Sequence, residues 1–207
     1  MKDAKSINSS TAEFWEKSYR NGDMGWDLGK PTPIFDNWIQ FQTDSLSICI
    51  LGAGNGWDAI NFAKKGHNVT AVDFAKSAID NMHAAAQDKS VQINLIHSDI
   101  FNLFKLFNHT FDIVLEYTCF CAINPARRMD YVRMTNHILK SNGKLVALLF
   151  PIDKDINDDG PPFVVDLDST ISLFSKYFIV DTKEIPSLSI EQRNGREVFV
   201  IFKKNVN

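Results

Sequence analysis

From residue 47 onward, short apolar runs alternate with stretches of helical spacing. The runs at 48–51, 69–72, 93–96, 111–115, 144–150, 178–181 and 198–202 have strand character. Between them, apolar positions recur at helical spacing over 59–65, 77–87, 127–139 and 168–176. Several strand candidates are apolar on both faces, as a sheet covered on both sides requires. Alternation of strand and helix predicts an α/β fold with a doubly wound, mostly parallel sheet. No repeat or low-complexity segment interrupts it, so residues 45–207 read as one core domain.

Residues 1–44 are patterned differently, rich in aromatics and turn formers. Ser10 and Glu13 have capping-box spacing, which predicts a short helix carrying Phe14, Trp15 and Tyr19. Asn21-Gly22-Asp23 then signals a turn, and Pro31 and Pro33 lead into a second helix near Ile34. The stretch from Pro151 to Asp166, with five Asp residues and Gly160-Pro161-Pro162, is a candidate active-site loop.

The sharpest local signal is Ile50-Leu51-Gly52-Ala53-Gly54-Asn55-Gly56, where a strand turns tightly into a helix. Gly52, Gly54 and Gly56 permit positive φ and let a ligand approach bare backbone. About 20 residues on, the second strand ends in Asp73, placed to accept hydrogen bonds from both hydroxyls of a ribose. A dinucleotide fingerprint needs a third glycine where this chain has Trp57. The pattern therefore favours a nucleoside without phosphates to seat, S-adenosylmethionine, over NAD or FAD. Asp99 follows the third strand and either accepts from the adenine amino group or caps a short helix, or does both. Phe74, Ile100 and Phe101 are available against the base. The fourth strand ends in Glu116-Tyr117, and ligands of open α/β sheets sit at such carboxyl ends.

These residues resemble class I methyltransferases of the thiopurine S-methyltransferase family, most closely the branch that methylates thiols, halides or thiocyanate. The resemblance is carried by Phe14-Trp15-Glu16-Lys17, by the run from Gly25-Trp26-Asp27 to Pro33, and by Leu51 to Asp58. It continues through Glu116-Tyr117-Thr118-Cys119-Phe120-Cys121-Ala122-Ile123-Asn124-Pro125, Gly160-Pro161-Pro162-Phe163 and Gly195-Arg196-Glu197. It implies a Rossmann-like seven-stranded sheet with an antiparallel last strand. It also implies an N-terminal helical cover, residues 1–44, folded over the cofactor. Trp15, Tyr19 and Trp26 would line that cover or, alternatively, pack as core. Aromatic faces suit a sulfonium neighbour. The chain departs from the family pattern at three places. Tyr117 stands where the thiopurine branch has arginine, Glu116 where the thiol and halide branch has Asp, and Ala53 where cysteine is common.

The expected reaction is in-line methyl transfer from S-adenosylmethionine to a small soft nucleophile (thiol, hydrosulfide, halide or thiocyanate), releasing S-adenosylhomocysteine. Tyr117 is placed to orient the acceptor. Arg196 either attracts an anionic acceptor or forms a structural pair with Glu197. Cofactor contacts are expected from Trp15, Trp26, Gly52, Gly54, Gly56, Asp73, Phe74, Asp99, Ile100 and Glu116. Alternatives are a methyltransferase for an amine, hydroxyl or metalloid acceptor, and a cofactor-binding sensor without transfer activity. A nicotinamide oxidoreductase is opposed by Trp57.

Composition narrows the partners. The chain has 207 residues, 44% hydrophobic and 23% charged, with net charge −3. That suffices for one ordinary core and supplies no basic stripe for nucleic acid. No apolar run approaches the roughly 20 residues of a membrane span, and residues 1–10 carry no secretory signal. Three cysteines, Cys49, Cys119 and Cys121, fit a reducing cytoplasm better than a disulfide framework. The C-x-C spacing and scattered histidines argue against a metal. Cys119 and Cys121 read as buried rather than reactive. A monomer is compatible with all of this, and the oligomeric state stays open.

Overall fold

The computed structural model describes residues 9–153 and 160–205. Residues 1–8 of the expected cover, and the middle of the loop that begins at Pro151, lie outside the described residues.

Seven strands form one sheet in the order β3-β2-β1-β4-β5-β7-β6. They are β1 (Ser47–Leu51), β2 (Asn68–Asp73), β3 (Asn94–His97), β4 (Phe111–Tyr117), β5 (Leu139–Leu149), β6 (Phe178–Glu184) and β7 (Val198–Lys204). The first five run parallel, whereas β7 lies antiparallel between β5 and β6. The helices are α1 (Ala12–Asn21), α2 (Pro33–Ile39), α3 (Trp57–Lys64), α4 (Lys76–Asp88), α5 (Leu103–Leu106), α6 (Arg128–Ile138) and α7 (Leu167–Phe174).

Period-two alternation divides the sheet's apolar side chains between two cores. Cys49, Leu51, Val114, Leu145, Ala147, Val200 and Phe202 pack with Leu103, Tyr131, Val132, Met134 and Phe174 from α5, α6 and α7. Ile48, Ile50, Ile113, Leu115, Val146, Leu148 and Ile201 face the other way, against Phe35, Ala59, Phe62 and Met82 from α2, α3 and α4. Because both faces are covered, the central strands are apolar throughout.

All seven strands appear where the apolar runs place them. The helix N-terminus at the start of the cover does not. Its cap is Thr11 rather than Ser10, and the first turn closes through the Phe14 N–H donating to the Thr11 carbonyl at 3.2 Å. The Ser10–Glu13 capping box is thus off by one residue. Pro33 occupies the first turn of α2, where its missing N–H costs nothing. Among the described residues, no helix is long and apolar enough to cross a membrane.

The chain leaves β1 toward β2 and β3 on one side and returns to β4 on the other. The sheet's topological switch point therefore lies between the carboxyl ends of β1 and β4, where open α/β sheets bind ligands.

Candidate active site

Two neighbouring cavities open at this switch point, and they share Trp26, Gly52 and Thr118 in their walls. The first spans about 790 Å³, the open space at its mouth included.

Gly52 of the glycine turn lines the first cavity, while Ala53, Gly54 and Asn55 line the second. Gly56 has φ 78° at the N-cap of α3, and a Cβ there would come within 2.3 Å of the buried Met82 Cγ. Only glycine satisfies both constraints. At Gly52, φ 59°, a Cβ would project to 3.1 Å from Cys119 Cβ and Sγ. The Gly54 N–H donates to Asp73 Oδ2 at 2.9 Å, and the Ala75 N–H donates to Asp73 Oδ1 at 2.9 Å. The carboxylate is thereby locked to the turn. Burial pushes the Asp73 carboxyl up, opposed by the backbone donors at Ala75, Gly54 and Phe74.

Phe74, Asp99, Ile100 and Phe101 form the far wall. Asp99 Oδ1 accepts from the Phe101 N–H at 2.9 Å, capping the 3-10 turn Ile100–Asn102. Its side chain is 38% exposed, so Oδ2 still faces the cavity region, 3.9 Å from Arg127 Nη1. The cap and an opening to ligand coexist. Arg127 lies over the Phe101 ring at 3.6 Å. Trp15, Tyr19 and Trp26 complete the enclosure, with Trp26 edge-on to Trp15 at 5.2 Å and to Tyr19 at 5.8 Å. Trp15, Tyr19 and Trp26 are all half-buried and all line this cavity.

Four long-range contacts pin the N-terminal segment over the turn. The Glu16 carboxylate accepts from the Ser77 N–H at 3.0 Å and the Ser77 hydroxyl at 2.7 Å. This supplies, from α1, the acid that the N-terminus of α4 lacks in its own first turn. These bonds hold the Glu16 carboxyl below its usual range. Asp27 accepts from Asn55 Nδ2 and from Trp57 Nε1, the latter at 2.7 Å. Asp58 accepts from the Thr32 N–H and hydroxyl, both at 2.8 Å. Burial nevertheless pushes the Asp58 carboxyl up to about 6. Arg193, 5% exposed, donates from Nη2 to the Trp26 carbonyl at 2.8 Å. Trp57 is therefore more than bulk replacing a glycine, because its indole N–H ties α3 to the N-terminal segment.

The second cavity runs from Trp26 past Lys30 and Thr32 to Leu115 and Tyr117. The Tyr117 hydroxyl donates to Glu197 Oε2 at 2.8 Å. Arg193 stacks its guanidinium between Tyr117 and Phe150, at 4.7 and 5.0 Å from the ring centroids.

Three expected site residues lie elsewhere, the first being Gly56, which packs on Met82 and lines neither cavity. Glu116 and Tyr117 are consecutive on β4 and so point to opposite faces. Tyr117 faces the second cavity, whereas Glu116, 2% exposed, turns into the core. There it accepts from the Cys119 and Phe120 N–H groups at 3.1 and 2.7 Å and from the Tyr131 hydroxyl at 2.6 Å. Glu116 thus shapes the loop after β4 and lines neither cavity. Burial pushes its carboxyl up to about 7 against those bonds. Arg196 is also displaced. It neighbours the inward-pointing Glu197, so it points outward, and its Nε meets Asp153 Oδ2 at 2.6 Å rather than Glu197. Arg193, not Arg196, is the arginine beside Tyr117. Cys121 is buried, while Cys119 lines the first cavity, with its thiol pushed well up by burial. The described ends of the loop around Pro151 and Asp166 line neither cavity. They join the segment after β4 through the Phe163 N–H, which donates to the Cys121 carbonyl at 2.7 Å. Among the described residues, no group of three or more His, Cys, Asp or Glu side chains could hold a metal ion.

A sheet of this order, a glycine turn after its first strand and an acid closing its second define a Rossmann-like methyltransferase with S-adenosylmethionine as methyl donor. A model of the thiopurine S-methyltransferase family matches residues 10–206, and the chain belongs to that family. It is 29% identical to a probable thiol methyltransferase 2 of Arabidopsis thaliana, over 96% of this chain and 88% of that one. It is 28% identical to thiocyanate methyltransferase 1 of Brassica oleracea, over 92% and 84%. A solved structure of Burkholderia thailandensis 1,6-didemethyltoxoflavin-N1-methyltransferase, with S-adenosylhomocysteine bound, has the same fold. Its TM-score is 0.75 at 17% identity, covering 94% of this chain and 87% of that one.

Proposed function

We propose that the two cavities are halves of one reaction site, with the adenosyl group of the donor in the first and a small soft nucleophile in the second. A thiol, hydrosulfide, halide or thiocyanate is the acceptor class. The observation that carries this reading is the junction: Trp26, Gly52 and Thr118 belong to both walls. An atom seated at that junction is within reach of both sides.

The residues present fit the donor. Bare backbone at Gly52 leaves room for its chain, and Asp73 offers two carboxylate oxygens to ribose hydroxyls. Phe74, Ile100 and Phe101 offer apolar surface to a base, with Asp99 at its edge. The bound donor supplies an already activated methyl group on a sulfonium. The protein's task is alignment and exclusion of water, and orientation alone supplies roughly 7–11 kcal/mol in favourable cases. When an anion attacks a sulfonium, opposite charges cancel along the path. A dry aromatic enclosure does not oppose that cancellation. Trp15, Tyr19 and Trp26, on residues 9–44 of the cover, provide it. Tyr117 orients the acceptor from the second cavity.

The test is an acceptor panel. Incubating the protein with S-adenosylmethionine and, separately, sulfide, an aromatic thiol, iodide and thiocyanate should release methylated products, detected by headspace gas chromatography. Methylation of amines, hydroxyls or metalloid oxyanions only would replace this acceptor class. Binding of S-adenosylhomocysteine with no product from any acceptor would make the protein a sensor.

A further inference from the structure

We propose that Glu197, acting through the Tyr117 hydroxyl, is the proton acceptor that fits this site to a protonated thiol or hydrogen sulfide rather than to a halide or thiocyanate. The inference rests on the acceptor class proposed above and narrows it.

Glu197 is 1% exposed, and its Oε2 accepts the Tyr117 hydroxyl at 2.8 Å. Its other oxygen, Oε1, is buried without a hydrogen-bond partner, as is Nη1 of Arg193. A half-satisfied carboxylate in such a place is costly if it serves only packing. The geometry gives it a use. Tyr117 lines the second cavity, and its hydroxyl proton points at Glu197.

The other carboxylates around the second cavity are committed. Both oxygens of Asp58 hold Thr32. Asp27 holds Gly29, Asn55 and Trp57. The charged groups remaining are Arg193, stacked against the Tyr117 ring, and Lys30 in the cavity wall. Arg193 offsets the charge of Glu197 while Glu197 is ionised. After Glu197 takes a proton, the positive charge of Arg193 remains beside the Tyr117 ring.

The step balances. The acceptor S–H proton passes to Tyr117 Oη as the Tyr117 proton passes to Glu197 Oε2. The sulfur lone pair forms the new S–CH3 bond, and the methyl–sulfonium bond breaks with its electron pair staying on the departing sulfur. A thiol thus becomes a thioether, with the released proton on Glu197. An anion such as iodide has no proton to give and meets a like charge behind Tyr117.

The test compares Glu197→Gln with the unaltered protein, each assayed with an alkyl thiol, which is mostly protonated at neutral pH, and with iodide. General-base assistance is worth about 10²–10⁴-fold, so the thiol-to-iodide turnover ratio should fall at least about tenfold. In Glu197→Gln, thiol turnover should climb with pH in step with the thiolate fraction, whereas the unaltered protein should show a shallower rise. By calorimetry, thiocyanate should bind the S-adenosylhomocysteine complex of Glu197→Gln at least about threefold more tightly, because a like charge is gone. Equal loss with thiol and iodide, or an unchanged ratio, would overturn the relay while leaving the acceptor class intact. If the unaltered protein methylates neither, the acceptor class falls as well. Should Glu197→Gln fail to fold, Tyr117→Phe interrupts the same relay with the ring kept, and the same drop in ratio is required of it.

Discussion

Replacing Asp73 with Asn isolates the contact on which donor binding turns. The native carboxylate accepts from Gly54 and Ala75 N–H groups, one on each oxygen, at 2.9 Å. Asn keeps one acceptor and swings its NH2 toward the other backbone donor. Two donors facing each other in a site 7% exposed should cost about 1–3 kcal/mol of stability. The ribose also loses a hydrogen bond to a charged acceptor, worth about 1.5–3 kcal/mol, or roughly ten- to a hundredfold in affinity. Isothermal calorimetry with S-adenosylhomocysteine reads the affinity, and urea denaturation reads the stability separately. A folded Asp73→Asn protein that binds within threefold of the unaltered one would refute the assignment of Asp73 to the ribose.

Three further outcomes are expected. Gly56→Ala forces a Cβ onto Met82 at φ 78°; the left-handed strain and the overpacking together should cost about 2–5 kcal/mol in urea unfolding, and a loss under 1 kcal/mol would contradict the geometry. Burial raises Glu116 to about 7 from a usual value of 4.5, so the folded state binds more protons than the unfolded chain between those values. Stability should therefore fall as pH rises from about 4.5 to 7 and level off above that; thermal melts should show this trend weakened in Glu116→Gln, and an identical trend in both proteins would remove Glu116 as its source. Trp26→Leu should weaken S-adenosylmethionine more than neutral S-adenosylhomocysteine by about 2–30-fold, the value of a lost cation–π contact; equal weakening of both ligands would place the sulfonium away from Trp26.

The fold was legible because the central strands are apolar runs bounded by turns, and such runs announce position well. They do not announce phase. A strand buried on both faces has no polar side to show which residue points where, so Glu116 and Tyr117 read as one pair facing the site. The structure puts them on opposite faces of β4. The glycine turn and Asp73 were legible together because their spacing is short and set by one βα unit. Arg193 was not, since a lone arginine before the last strand has no periodic signature. Its role depends on β7 returning beside β5 and bringing it to Tyr117. The same holds for the Asp27–Trp57 and Thr32–Asp58 contacts. Each links two motifs that were visible separately, across a gap that no local pattern measures.

The central claim is that the adenosyl donor lies across the glycine turn with its sulfur at the junction of the two cavities. A crystal structure with S-adenosylhomocysteine tests it most directly. The ribose hydroxyls should sit on Asp73, the adenine against Phe74 and Ile100, and the sulfur beside Gly52 and Thr118 with Tyr117 beyond it. A ligand bound outside these walls, or a cleft that stays closed to it at saturating concentration, would contradict the account.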